Sequence, residues 1–299
     1  YGSRGLQMSG QIGIPSSALY RGGGKDDFQA DSGDGSGYVA TTVPGLIEAL
    51  RAPTMAERVG VTTINNATGN LKFPRVSAKA VGNHGGAPGE VGADAGSEME
   101  LDELTLSPTR VANRTKFSKQ LILQGGAGID SMIAAELAAG INETIDKDVF
   151  AKAVAGAGYQ GNLSGGSIAA SHIFAAEKAV LAAGGDLANG QFVLSPSAMS
   201  ILKGEASVAS IKALINENRV DGFPTHYTPN LVDSATDQGD FCFGDFSKGM
   251  VLAFFGGVDI LVDPYSNAGT AQIALHVNKF YDADVRQAGA LARIKNFIA

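Results

Sequence analysis

The stretch IDSMIAAELAAGINETIDKDVFAKAVAG, residues 129–156, limits the possible folds of this chain more than any other. Ile129, Ile133, Leu137, Ile141, Ile145 and Val149 recur at every fourth position. A helix turns about 100° per residue, so each step of four drifts about 40° round the axis, and five steps carry the apolar stripe roughly half-way round. At about 1.5 Å per residue such a helix spans about 40 Å. Its successive parts must pack on different neighbours, which predicts a spine crossing the molecule rather than one member of a compact bundle. Asp146 and Asp148 lie two apart on it and do not face each other, so they read as solvent-facing charge rather than as paired acids.

Residues 60–122 before the spine read as an extended two-armed hairpin. Strand-like LKFPRV (71–76) and MELDELTLS (99–107) flank the tract NHGGAPGEVGADAGSE (83–98), which is half glycine or alanine and has no lysine, arginine or aromatic residue. This tract reads as a hairpin tip held away from any core. The returning arm alternates Met99 with Leu101, slips one register near Glu103, then alternates Leu104 with Leu106, the pattern of a bulged strand. Its charges are segregated. Glu90, Asp94, Glu98, Glu100, Asp102 and Glu103 come with no basic residue among them, and Arg110, Arg114, Lys116 and Lys119 follow with no acidic one. Opposite-sign patches set register between partners, so these residues are candidate intersubunit contacts.

Residues 1–45 are glycine-rich and weakly patterned, too poor in apolar surface to order alone, and read either as a disordered segment or as an arm that folds onto something else. A short helix is expected over PGLIEALRA (44–52). After a Gly/Ser break at 156–167 the pattern becomes α/β: a helix over about 168–183, a strand at 191–195 and a helix at 196–204. Irregular, edge-like structure is expected at 221–231, then strand-like runs within 240–247, 249–266 and 270–285, and a mixed segment at the end.

Composition narrows the function classes. Hydrophobic residues make up 44% of the 299 and charged residues 18%, which is globular. The longest apolar runs, such as MVLAFF (250–255), fall far short of the ~20 residues a membrane helix needs. The single cysteine, Cys242, excludes an internal disulfide framework and reads as a small buried side chain. A net charge of −7 argues against wrapping or condensing nucleic acid, though not against enclosing it. His84, His172, His226 and His276 are scattered, and neither a zinc-protease helix motif nor a nucleophile elbow occurs. GGGKDD (22–27) carries Asp26 where a P-loop needs Ser or Thr, and DSGDGSG (31–37) lacks the carboxylate two residues after Asp31 and the closing Glu of a calcium loop. No catalytic residue, cofactor or metal ligand is therefore expected.

FGDFSKGMVLAFFGGVDILVDPYS (243–266) reads as a Gly-Asp-Phe-Ser turn, a strand, a Gly-bearing turn and a second strand ending near an Asp. FVLSPSAMSILKG (192–204) reads as a strand, a Ser-Pro step and a short helix. RVANRTKFSKQLIL (110–123) stands where the hairpin returns to the body before the spine. In that order, over roughly residues 40–299, the chain resembles the major capsid protein family of tailed bacteriophages. The resemblance implies an α+β chain with the Hong Kong ninety-seven type capsid fold. Its parts would be an N-terminal arm (1–45), an extended β-hairpin loop (60–122), a peripheral domain (125–160 and 263–299, with the spine helix at 129–155) and an axial domain (165–262). It implies self-assembly into hexamers and pentamers of an icosahedral shell, enclosing double-stranded DNA without sequence-specific binding. Portal and decoration proteins would be the partners, with no membrane and no enzymatic activity. The implied location is the virion, assembled in the host cytoplasm, and the start at Tyr1 resembles members trimmed by a maturation protease. Some members cross-link a loop lysine to a peripheral asparagine with help from a glutamate. Lys72 or Lys79 and Asn267 or Asn278 would serve, but no glutamate follows Glu217. Two other readings remain open: an encapsulin-like compartment of the same fold, and an α/β enzyme or binding protein.

Overall fold

The spine expected from the four-residue repeat is present as a single 28-residue helix in the computed structural model, which describes residues 54–80, 98–120, 129–204, 215–216 and 219–298. The expected arm, the helix over 44–52 and all of the 83–98 tract except Glu98 lie outside the described residues. In chain order the elements begin with β1 (Thr62–Ile64), β2 (Leu71–Ala78), β3 (Glu100–Leu106), β4 (Thr109–Ser118) and the spine α1 (Ile129–Gly156). Then come β5 (Tyr159–Ser167), α2 (Ala170–Ala182), β6 (Gln191–Leu194), α3 (Pro196–Gly204), β7 (Ile215–Asn216), β8 (Arg219–Val220) and β9 (Phe223–Tyr227). The last are β10 (Gly239–Gly244), α4 (Phe246–Gly249), β11 (Met250–Phe254), β12 (Asp259–Asp263), β13 (Gln272–Val285) and β14 (Leu291–Ile298).

Two larger sheets result. In the first, the 14-residue β13 is the axis: β11 and then β12 run antiparallel along one side, β4 runs antiparallel along the other, and β1 joins β11 in parallel. Leu137, Ile141, Ile145 and Val149 of α1 are buried in one cluster with Leu275, Val277, Tyr281, Ala283 and Val285 of β13 and with Leu252 of β11. Along its length α1 touches β4, β13 and β14, as a winding stripe requires. The second sheet runs β5-β14-β10-β6-β9-β8-β7, with α2 and α3 packed on it. Its core is aromatic: the Phe192 and Phe243 ring centroids lie 4.4 Å apart, and Phe241 meets Phe297 edge-on at 5.8 Å. The hydrogen-bond ladders cross the expected boundary near residue 262, because β10 pairs with β14 while β11 and β12 pair with β13.

Four local expectations need correction. The supposed Gly/Ser break at 156–167 contains strand β5, parallel to β14. Tyr159 and Leu163 pack against the second core, and the missing side chain of Gly161 makes room for Ile294 Cδ1. The C-terminal segment is also a strand. β14 is flanked on both edges and its first four residues are all buried, so it shows no two-residue alternation to read. The bulge expected near Glu103 lies instead on the partner strand, between Val76 and Ala78, and the ladder runs unbroken through Pro74↔Glu103. The phase slip in the sequence marks a change in which face is apolar.

The fourth correction concerns Asp146, which is only 2% exposed. Residues 54–61 cover that side of α1 with Met55, Ala56, Val59 and Val61. One Asp146 oxygen accepts from Met55 N (3.0 Å) and Ala56 N (2.8 Å), capping the turn there. The other accepts from Asn230 Nδ2 at 2.6 Å, in the loop after β9. Asp148 is half-buried and accepts from Tyr281 Oη at 3.1 Å. Removing the Asp146 carboxylate strands two buried amides and one buried carboxamide. Asp146→Ala is therefore expected to destabilise the unassembled chain by about 3 kcal/mol, read as a lower midpoint in denaturant unfolding.

Candidate functional site

The hairpin has two unlike faces because its strands pair residue for residue. Leu71 opposite Leu106 and Phe73 opposite Leu104 turn inward, packing with Val251, Ala253 and Phe255. Lys72 opposite Thr105, Pro74 opposite Glu103 and Val76 opposite Leu101 turn outward. Farther from the body the inward packing stops, and Val76 (45% exposed), Met99 (55%) and Leu101 (66%) form an uncovered apolar patch. Isolated exposed aliphatics are ordinary on a surface, but a cross-strand pair with a third beside it is a contact patch.

The structure disperses the sequence's charged candidates. Glu90 and Asp94 lie outside the described residues. Asp102 is bound by Arg75 (Nη2–Oδ2 2.5 Å) and Glu103 by Lys72 (Nζ–Oε1 2.7 Å), within the same hairpin. The hydrogen bond from Arg75 holds the Asp102 carboxyl below its usual range, and that from Lys72 does the same for Glu103. Both pairs are solvent-exposed and contribute little to stability. Glu98 and Glu100 are exposed beside the apolar patch and, among the described residues, have no side-chain partner. Arg110 donates from Nε to Asn278 Oδ1 at 2.9 Å. Arg114 and Lys116 share the exposed face of β4 with it and Lys119 follows, all three without a side-chain partner among the described residues. Among the described residues these acids and bases thus form no intrachain pairs with each other, and two of the acids are already neutralised.

Sequence reading missed a second surface. Val258, Ile260, Leu261, Val262 and Tyr265, on and around β12, are 46–85% exposed. Three successive aliphatics present both faces of a strand, so cover on one face cannot bury them all. The run Ile-Leu-Val between Asp259 and Asp263 was the available signal.

The three described histidines stay apart. His172 Nδ1 accepts from Ala169 N at the start of α2, His226 Nε2 meets Gln191 Oε1 at 2.9 Å, and His276 sits mid-β13. Cys242 is fully buried, and desolvation pushes its thiol up to about 12, so it is inert. Of the lysines and asparagines singled out above, Lys79 donates to Ala183 O, beside Lys248 and Arg286 in a concavity of about 370 Å³. Asn267 Nδ2 is buried without a partner in the turn after β12. Glu177 of α2 is pushed up to about 7, first by burial and then by Asp221.

The chain matches the family model described as "Phage capsid family" over residues 39–296. Solved structures with similar folds include the capsid of the native GTA particle. It is 18% identical, with a TM-score of 0.69, over 91% of this chain and 99% of that one. The Mycobacterium phage Bobi structure is 15% identical, with a TM-score of 0.65, over 92% and 100%. For Gordonia phage Cozz the values are 16%, 0.61, 89% and 93%. At these identities the likeness is one of fold. None of the curated proteins compared with the chain matches it.

Glu177 gives a pH prediction. The native state binds its proton more tightly than the unfolded chain, whose carboxyl has the ordinary value of 4.5. Its contribution to stability is complete below the unfolded value and is lost as pH rises through about 7. Glu177→Gln is expected to raise the Tm of the unassembled chain at about pH 8 and leave it nearly unchanged near pH 4; thermal scans at both pH values check this.

Proposed function

The chain belongs to the phage capsid family, and we propose that it is the major capsid protein of an icosahedral shell enclosing double-stranded DNA. It is a structural protein of the virion whose fold, of the Hong Kong ninety-seven type, is that of phage capsid proteins. The observation that carries the shell reading is the pair of apolar surfaces, at Val76, Met99 and Leu101 and along β12, that one chain leaves uncovered. A free monomer bears the solvation cost of such patches, whereas identical copies bury them in one another.

On this reading hexamers and pentamers form from the same chain. The hairpin reaches onto an adjacent copy, and the exposed Glu98, Glu100, Arg110, Arg114, Lys116 and Lys119 lie in contacts between copies. The α1-backed sheet serves as the peripheral part and the β5–β14 sheet as the axial part. The net charge of −7 keeps the inner wall from trapping the genome. Assembly takes place in the host cytoplasm, and portal and decoration proteins are the heterologous partners. No step requires enzymatic chemistry, and no described helix is long and apolar enough to cross a membrane.

Electron microscopy of particles purified from the cells that produce them, with their ultraviolet absorbance ratio, tests this. Closed shells of about 50 nm with a nucleic-acid spectrum are expected (for domains of this size in a shell of hundreds of copies). A monodisperse monomer at high concentration contradicts the shell, and protein-only shells with a co-purified enzyme contradict the DNA. Leu101→Asp, on an exposed strand position, is expected to shift monomer stability by no more than about 0.5 kcal/mol yet abolish shells in the same micrographs.

A further inference from the structure

Strands β12, β13 and β4 form a three-stranded ribbon whose register determines what each face carries. On the face turned toward α1, Ile260, Val277 and Asn113 form one row and Val262, Leu275 and Thr115 another. Val277 and Leu275 are buried there, while Ile260 and Val262 remain about half exposed. The outer face carries three rows: Asp259, Asn278 and Ala112; Leu261, His276 and Arg114; Asp263, Ala274 and Lys116. This outer face is polarised across its width. Both acids stand on β12, both bases stand on β4, and the two edges lie about 10 Å apart, two ladder spacings. That is too far for ion pairs within the chain, and Arg114 and Lys116 have no other side-chain partner among the described residues. Asp263 is held down to about 2 by hydrogen bonds from Ser266 and Tyr265, so it stays charged at any working pH.

Both outer edges are unpaired: among the described residues β12 and β4 hydrogen-bond only to β13. An exposed aliphatic edge strand is normally blunted by charge, proline or cover, and β12 has two flanking aspartates but three bare aliphatics between them. Resting on the shell reading above, we infer that the β12 edge of one copy docks against the β4 edge of a second copy. The charge polarity selects that arrangement. Setting β12 against β12 opposes aspartates, and setting β4 against β4 opposes cations, each unfavourable when desolvated. Only β12 against β4 is attractive. It also lays the methylene stems of Arg114 and Lys116 over Leu261 on the outer face, while the strand pairing brings the opposite face of β4 beside Ile260 and Val262. The contact is therefore head-to-tail, using different surfaces on the two partners, so a joined pair keeps one free edge of each kind and the contact can propagate round a ring. It also gives the unpaired bases of β4 a partner that the hairpin, with Asp102 and Glu103 already neutralised, supplies less well.

Engineered disulfides test this directly, because the only native cysteine is buried and silent. Asp259→Cys is combined in turn with Ala112→Cys, Arg114→Cys and Lys116→Cys, which covers the neighbouring registers. Within a chain these positions stand at least about 10 Å apart, beyond the roughly 7 Å a disulfide can bridge, so any cross-link joins two copies. Purified shells are oxidised and run on denaturing, non-reducing gels. At least one double variant is expected to give a ladder of dimers, trimers and higher species, while Asp259→Cys alone stays monomeric. Dimers from Asp259→Cys alone, or intact shells of all three double variants without any ladder, overturn the contact. Failure of the parent chain to form shells overturns the shell reading as well, and electron microscopy of the parent separates the two outcomes.

Discussion

The Asp146 carboxylate is the constraint on which the arrangement of this chain depends. It lies in the middle of the spine and accepts hydrogen bonds from Met55 N, Ala56 N and Asn230 Nδ2, which are 91, 90 and 84 residues away in sequence. A buried carboxylate is tolerated only when its oxygens are filled, so the site demands both the turn at Met55 and Ala56 and the loop at Asn230 at once. Residues 54–61 lead directly into β1, which pairs with β11 before the hairpin begins. The direction in which the hairpin leaves the body is thus set at the spine. The loop holding Asn230 follows β9 of the second sheet, so the same carboxylate ties that sheet to the helix. A second buried link is Arg293 of β14, whose Nη2 meets Asp240 Oδ2 at 2.7 Å within the second sheet.

A chain anchored in this way can extend surfaces that it does not complete itself. The hairpin is packed only at its base, by Leu71, Phe73, Leu104 and Leu106 against the end of β11. Beyond that base its outward pair Val76 and Leu101 has nothing to bury against. The ribbon ends alike: its middle strand lies under α1, while β12 extends past the helix with its aliphatics bare. These are the surfaces that a capsid family member is expected to bury between copies, and both are bordered by acids, Glu98 and Glu100 at one and Asp259 at the other, with no side-chain partner among the described residues.

Much of this architecture was legible in the sequence. The every-fourth-residue repeat of α1 survives because the helix is long and its stripe must stay apolar throughout. The hairpin, α2, β6, α3 and β13 were visible through ordinary periodicity and turn residues. β5 was hidden because its glycines serve close packing on Ile294 rather than a loop, and β14 because a strand buried from both sides loses its alternation. Asp146 was misread for a different reason. Two acids on a helix look solvated until a segment 90 residues away is known to cover one of them. The charge segregation near the hairpin was real in sequence, but Lys72 and Arg75 on the opposite strand, invisible to a scan of the returning arm alone, had already claimed part of it. The ribbon's polarity was the least legible feature, since it appears only when β12 and β4, about 150 residues apart, are set in register through β13.

The central claim is that surfaces left bare by one chain are covered by another. Hydrogen–deuterium exchange on the same chain, unassembled and in purified shells, measures this most directly. The account predicts that the amides of Asp259–Asp263 that point away from β13, and those of Met99–Leu101 that point away from β2, exchange fast in the free chain and slow by at least about tenfold in the shell. Amides of Phe192–Leu194, already in a buried sheet, should change little. Equal rates in both states for the two exposed segments would contradict the account.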